Sequence, residues 1–278
     1  MPAERIAESL SFINWTVLTC LGVGSFVAVV AGRLLTDATR GYLAFTALSA
    51  GVFGALAALS DGALPSTSPA LAVTPDPTWE LPRHVALAAF PIIAGVYAVG
   101  IALGRRWIAV AVAGLAAAAA VLVAGAFSWG GGPVASLLLL GELATLAIAL
   151  GGVWASMILG HWYLVTPRLP EAPLVRFARW LAFAVAAQLV LFLAWTGLGA
   201  GPAGSPGFGA LVGPWALFVW LRLLVGLVFP LVVSWAAIQT ARSRSMESAT
   251  GLLYINVGTI AAGTILAAGL YFGAGLLV

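Results

Sequence analysis

Two charged residues stand inside long apolar stretches of the sequence. Glu142 interrupts the run "LLLLGELATLAIALGG", and Arg222 lies within "LFVWLRLLVGLVFPLVVSW". A carboxylate or a guanidinium in hydrocarbon is costly unless it is paired or faces a polar cavity, so an ionisable residue at such a place is a candidate functional group. The chemistry open to these two residues is proton binding by Glu142 and binding of an anion or polar headgroup by Arg222.

Both charges lie at the same predicted depth. Each comes about eight residues after its helix enters from the same side, which is roughly 12 Å below that boundary at 1.5 Å per residue. We therefore expect Glu142 and Arg222 to face each other across a helix bundle. The pair is either a site that handles protons or a headgroup, or a buried ion pair that only fixes the helix arrangement. His84 begins a helix on the same side and is a candidate third member.

A second polar group stands where the fifth apolar run leaves the membrane, in "GHWYLVTPRLP". A histidine between aromatic side chains can donate a hydrogen bond to a quinone carbonyl while the aromatics flank the ring. The alternative is an ordinary interfacial belt of aromatic and arginine side chains. The candidate quinone-binding residues are His161, Trp162, Tyr163, Arg168 and Gln239.

Quinone is the one cofactor to which the sequence points. A haem held by two histidines needs both ligands at one membrane depth, whereas His84 and His161 are predicted at opposite faces. Haem is therefore not expected. The single cysteine, Cys20, excludes cysteine-based clusters, and no metal site is predicted. Phosphate-binding, zinc-protease and nucleophile-elbow motifs are absent, so the chain is at most a non-metal subunit of an oxidoreductase complex.

The composition is that of an integral membrane protein. Of 278 residues, 62% are hydrophobic and 8% are charged, and the mean hydropathy is +1.09. Such values lie far outside the range of soluble domains. All 12 basic residues are arginine, and most flank apolar runs. The sequence pI of about 9.5 therefore does not indicate a nucleic-acid partner.

Eight apolar runs are long enough to cross a hydrocarbon core of about 30 Å, and they must be helices because open strands leave backbone groups unsatisfied in lipid. Nine arginines fall in the loops after the first, third, fifth and seventh runs, against Arg5 and Arg83 on the other side. This bias predicts that both termini are non-cytoplasmic and that the protein spans the inner (plasma) membrane. The predicted runs are 12–33, 41–60, 84–103, 107–127, 134–160, 174–197, 215–240 and 249–275.

The whole chain, 1–278, is predicted to be one membrane domain of the all-α class. The segments 61–83 and 199–214 are rich in Pro, Gly or Ser and are expected to be irregular outer loops. Small residues at four-residue spacing predict close packing on two helices. These residues are Gly24, Ala28 and Gly32 on the first helix, and Gly152, Ser156 and Gly160 on the fifth.

Three functions fit this sequence. The first is a membrane subunit of a respiratory or other electron-transfer complex, which interacts with quinone and anchors a redox partner. The second is a small proton-coupled secondary transporter, in which Glu142 titrates and Arg222 is its counter-ion or a substrate anchor. The third is a non-catalytic scaffold or assembly subunit. All three place the chain in a lipid bilayer, and the first and third require other membrane or redox subunits as partners.

Overall fold

The computed structural model describes residues 1–65, 71–166, 169–204 and 207–278. Within these ranges the chain is helical and has no strand. In the part of the chain that the structure describes, eight helices are long and apolar enough to cross a membrane. The prediction of an all-helical bundle with eight spanning helices is confirmed, and the orientation of its termini stays a prediction.

Most helices begin a few residues before the predicted run or end a few residues after it. A short helix, α1 (Pro2–Glu8), precedes the spans. The seventh span consists of α8 (Ala216–Leu223), a π-helical turn (Leu224–Val228) and α9 (Phe229–Arg242). The other spans are α2 (Leu10–Leu35), α3 (Arg40–Gly62), α4 (Glu80–Ala102), α5 (Ile108–Trp129), α6 (Pro133–Val165), α7 (Ala172–Leu198) and α10 (Met246–Ala274).

The predicted irregular loop 61–83 is shorter in the structure than in the sequence interpretation. Helix α3 continues through Gly62, and a 3-10 turn at Pro77–Trp79 leads directly into α4 at Glu80. Pro82 does not prevent this early start, because proline is tolerated in the first turn of a helix, where backbone N–H groups have no intrahelical partner. Asp61 therefore lies at the end of α3, and Arg83 lies near the start of α4.

Helix α2 is central to the bundle and packs against α3, α5, α6 and α10. Its contact with α6 is the closest, since a Cβ added at Gly24 would lie 1.7 Å from the carbonyl oxygen of Ala147. Backbone-to-backbone approach of this kind is how membrane helices gain van der Waals contact without a hydrophobic driving force. Near the start of α2, Trp15 makes an edge-to-face contact with Trp129.

The two ends of the bundle differ in character. At the end that holds both termini, here called the terminal end, backbone N–H groups of Ala72 and Leu277 donate to Phe272 and Ala200. The opposite end, here called the arginine-rich end, contains the ion pair of Arg244 with Glu171 at 2.8 Å. The pKa of Glu171 is lowered by the backbone N–H of Glu171 itself and by Arg244.

Candidate functional site

The structure brings together the two charges that interrupt the apolar helices. Nη2 of Arg222 on α8 lies 3.7 Å from Oε1 of Glu142 on α6, with side-chain exposures of 2% and 7%. Each residue lies within the second or third turn after its helix begins at the terminal end. Equal depth on two helices that enter from the same end accounts for the contact.

Contacts between the two side chains are loose. Charge-assisted hydrogen bonds between a guanidinium and a carboxylate are usually 2.7–2.9 Å long, which is shorter than the 3.7 Å between Arg222 and Glu142. Oε1 of Glu142 is buried and has no hydrogen-bond partner among the described residues. The nearby Thr145 hydroxyl donates to backbone carbonyls of α6 instead. The carboxylate therefore keeps an unused capacity to accept a hydrogen bond.

Two glycines form a slot for the Arg222 guanidinium. A Cβ added at Gly263 of α10 would lie 2.6 Å from Cα of Gly226 and 3.0 Å from Nη1 of Arg222. The Nε of Arg222 donates to the carbonyl oxygen of Val278 at 3.4 Å. Any larger residue at either glycine would push α10 away from the charge, so these glycines are needed for the approach itself.

The helix geometry changes directly after Arg222. The π-helical turn Leu224–Val228 follows it, and Pro230 lies two residues beyond that turn. Proline has no N–H to donate to the carbonyl of Gly226, so the regular helical bonding pattern is already interrupted at this point. Single π-helical turns are rare and occur frequently at functional sites. Pro230 is the sequence feature that accompanies this irregularity, which begins two residues after Arg222.

His84 does not join Glu142 and Arg222. It belongs to a second polar cluster, in which Oδ2 of the buried Asp61 lies 2.9 Å from Nε2 of the exposed His84. Oδ1 of Asp61 lies 2.6 Å from Nε of the buried Arg83. Nη1 of Arg83 also donates to the Ser128 hydroxyl at 2.8 Å, and the guanidinium lies 4.8 Å from the ring centroid of Trp129. The antiparallel pairing of α3 and α4 brings their ends together and explains this grouping.

A cleft of about 390 Å³ opens beside the Asp61 cluster at the terminal end. Asp76 and Glu80 line it together with His84. Hydrogen bonds from the side chain and the backbone N–H of Thr78 lower the pKa of Asp76, so this carboxyl stays ionised to more acidic pH than usual. The sequence interpretation missed the cluster because it placed Asp61 and Arg83 in an irregular loop.

The proposed quinone residues that the structure describes differ in exposure and in hydrogen-bond partners. His161 is exposed, and its Nδ1 lies 3.4 Å from the hydroxyl of Tyr254 on α10. Tyr163 is buried and donates its hydroxyl proton to the carbonyl of Pro170, so this hydroxyl is already engaged within the protein. Trp162 is half-buried and Gln239 is exposed. Arg168 lies outside the described residues.

Comparisons with protein-family models, with curated protein sequences and with solved structures gave no match for this chain. Function therefore has to be inferred from the chemistry of the buried polar residues. In the described part of the chain no group of three or more His, Cys, Asp or Glu residues is arranged to hold a metal ion.

Proposed function

We propose that the protein is a small secondary transporter that couples the movement of an anion to that of a proton. Glu142 is the proton-binding group, and Arg222 binds the anion. The observation that carries this proposal is the buried but loose contact of 3.7 Å between the two side chains. An ion pair that served only to hold helices together would be stabilised most by short, saturated hydrogen bonds.

Charge balance supports an exchange of partners at this pair. In the empty state the carboxylate of Glu142 neutralises the guanidinium of Arg222. When a proton binds to Glu142, Arg222 is released to bind a monoanion, and the site is again neutral. Because charge is costly in the hydrocarbon region, both the empty and the loaded states can cross it at low electrostatic cost, whereas a site with only one of the two ligands cannot.

The helices around Arg222 are also suited to a conformational change during transport. Secondary transporters typically place their sites at interrupted helices near the middle of the membrane. The π-helical turn after Arg222 weakens the regular bonding of the seventh span. The contact between Gly226 and Gly263 lacks interlocking side chains, so α10 and the seventh span can slide at this point.

We expect purified protein in liposomes to carry protons inward when the concentration of a transported monoanion is higher outside the liposomes than inside. An entrapped pH-sensitive dye measures this flux for the monoanions lactate, pyruvate, chloride and nitrate in turn. The Glu142→Gln variant should reduce it to the level of protein-free liposomes, because a neutral amide cannot release a proton. Flux should not depend on an imposed membrane potential, since one proton moves with one monoanion.

Glu247→Gln is the matched control for Glu142→Gln. It also removes one carboxylate, but from an exposed position in the first turn of α10, and it should leave the flux unchanged. Both variants must elute as a single species in size-exclusion chromatography. The proposal fails if none of the anions drives a proton flux above that of protein-free liposomes, or if Glu142→Gln transports as well as the unaltered protein.

A second candidate function is a quinone-interacting subunit of an electron-transfer complex. The observation that favours it is the pair of exposed polar groups, His161 and Tyr254, on adjacent helices. A quinone that diffuses in the bilayer could accept a hydrogen bond from either group. A partner that carries the redox centres would then cover this surface.

Quinone content distinguishes this second function from transport. Protein purified in mild detergent should carry extractable quinone, and His161→Phe should remove most of it. Tyr163→Phe should retain it, because the Tyr163 hydroxyl is already committed to Pro170. Quantification of extracted quinone by chromatography checks this result. Quinone-free protein, or equal retention by the two variants, would exclude His161 as a quinone contact.

A further inference from the structure

A pocket of about 560 Å³ lies at the arginine-rich end between α2, α4 and α5. Arg33, in the last turn of α2, and Arg106, just before α5, both line it. Asp37 lines the same pocket. The polar wall therefore contains two guanidinium groups and one carboxylate, with a net charge of +1.

Neither arginine is neutralised within the described part of the protein. No ion pair or hydrogen bond joins the side chain of Arg33 or Arg106 to another described residue, and Asp37 forms no ion pair with either of them. Arg33 is only half-exposed, so its charge is not fully solvated. An anion in the pocket would supply the partner that the two guanidinium groups lack.

The remaining wall of the pocket is apolar and leads along α5. Ile108 and Val112 are 62% and 60% exposed, and Leu115 continues the same face one turn later. Residues at this spacing lie above one another on a helix. The apolar strip thus runs from the charged wall into the membrane-spanning part of α5, where an acyl chain would lie.

We propose that this pocket binds one anionic phospholipid, with its phosphate between Arg33 and Arg106 and an acyl chain along Ile108, Val112 and Leu115. A free phosphate ion would satisfy the arginines but leave the apolar strip unused. A zwitterionic lipid would bring a cationic group to a pocket that is already positive. Basic pockets between membrane helices are known to bind anionic headgroups.

The test is a lipid titration followed by native mass spectrometry of the detergent-purified protein. Phosphatidylglycerol and phosphatidylcholine with identical acyl chains are the probes, and inorganic phosphate is the soluble competitor. We expect phosphatidylglycerol to bind more tightly, and Arg33→Gln/Arg106→Gln to weaken its binding by about tenfold or more. Arg179→Gln/Arg242→Gln is the matched control, because it removes two exposed arginines from the same end but outside the pocket.

The site is supported if the Arg179/Arg242 variant still binds phosphatidylglycerol tightly and the Arg33/Arg106 variant does not. An equal reduction in both variants would overturn it and indicate general attraction to a basic surface. The lipid assignment would also be overturned if millimolar inorganic phosphate displaced the lipid completely, or if phosphatidylcholine bound equally well. All four arginine side chains are at least partly exposed, so the variants are expected to fold.

Discussion

Replacement of Gly151 by alanine is expected to lower the free energy of unfolding by about 3 kcal/mol or more, at or beyond the upper end of overpacking effects. A Cβ at this position would lie 2.2 Å from the backbone of Gly24 and Ser25. Backbone atoms cannot rotate away as a side chain can, so α2 and α6 would have to separate. Because α2 is central to the bundle, this separation would disturb its other contacts as well.

The neighbouring Gly152 is a matched control for this effect. A Cβ added there meets nothing within 4 Å, so Gly152→Ala should leave stability unchanged or raise it by up to about 1 kcal/mol, through the better helix propensity of alanine. Titration with sodium dodecyl sulfate in mixed micelles, followed by tryptophan fluorescence, measures both changes. Equal stability of the two variants would contradict the close contact between α2 and α6.

These two glycines also show what sequence spacing can and cannot predict. Four-residue spacing marked Gly24 on the first span as a packing residue, and the structure agrees. On the fifth span the spacing selected the face of Gly152 and Gly160 without predicting which helix would pack on it. Gly151 makes the contact with α2, whereas Gly160, from the predicted face, packs against Thr250 of α10. Spacing identifies a small face, but it does not identify the helix that packs on it.

The eight spans were predictable because hydropathy over about 20 residues is a strong signal in a chain this apolar. The proximity of Glu142 and Arg222 was also within reach, since equal depth follows from counting residues along two helices. The slot formed by Gly226 and Gly263 was not, because it depends on which helices cross and where. The π-helical turn likewise has no pattern of its own beyond the proline that follows.

The Asp61 cluster was hidden by small errors in helix ends. The predicted runs ended at residue 60 and resumed at residue 84, so Asp61 and Arg83 each fell one residue outside a helix. Their charges were then assigned to a solvated loop. In the structure both residues are on helices and are 2% and 7% exposed, so a shift of the boundary by one turn converts two loop charges into a buried ion pair.

Replacement of Asp61 by leucine is expected to lower the free energy of unfolding by about 3–5 kcal/mol, the usual cost of leaving one member of a buried pair without its partner. Arg83 would keep its hydrogen bond to Ser128 and its contact with Trp129. Neither group carries a charge, so the guanidinium would remain uncompensated. His84 would lose its carboxylate contact as well, but it is 43% exposed and can bind water instead.

The double variant Asp61→Leu/Arg83→Met separates this explanation from a simple packing defect. Apolar residues of similar size often replace a buried ion pair with little loss of stability, so the double variant should recover most of the stability that Asp61→Leu loses. Asp76→Asn, an exposed change in the same cleft, should leave the stability nearly unchanged. The same detergent titration provides all three values. A double variant that is less stable than Asp61→Leu alone would mean that Arg83 stabilises the bundle through Ser128 and Trp129 rather than through Asp61.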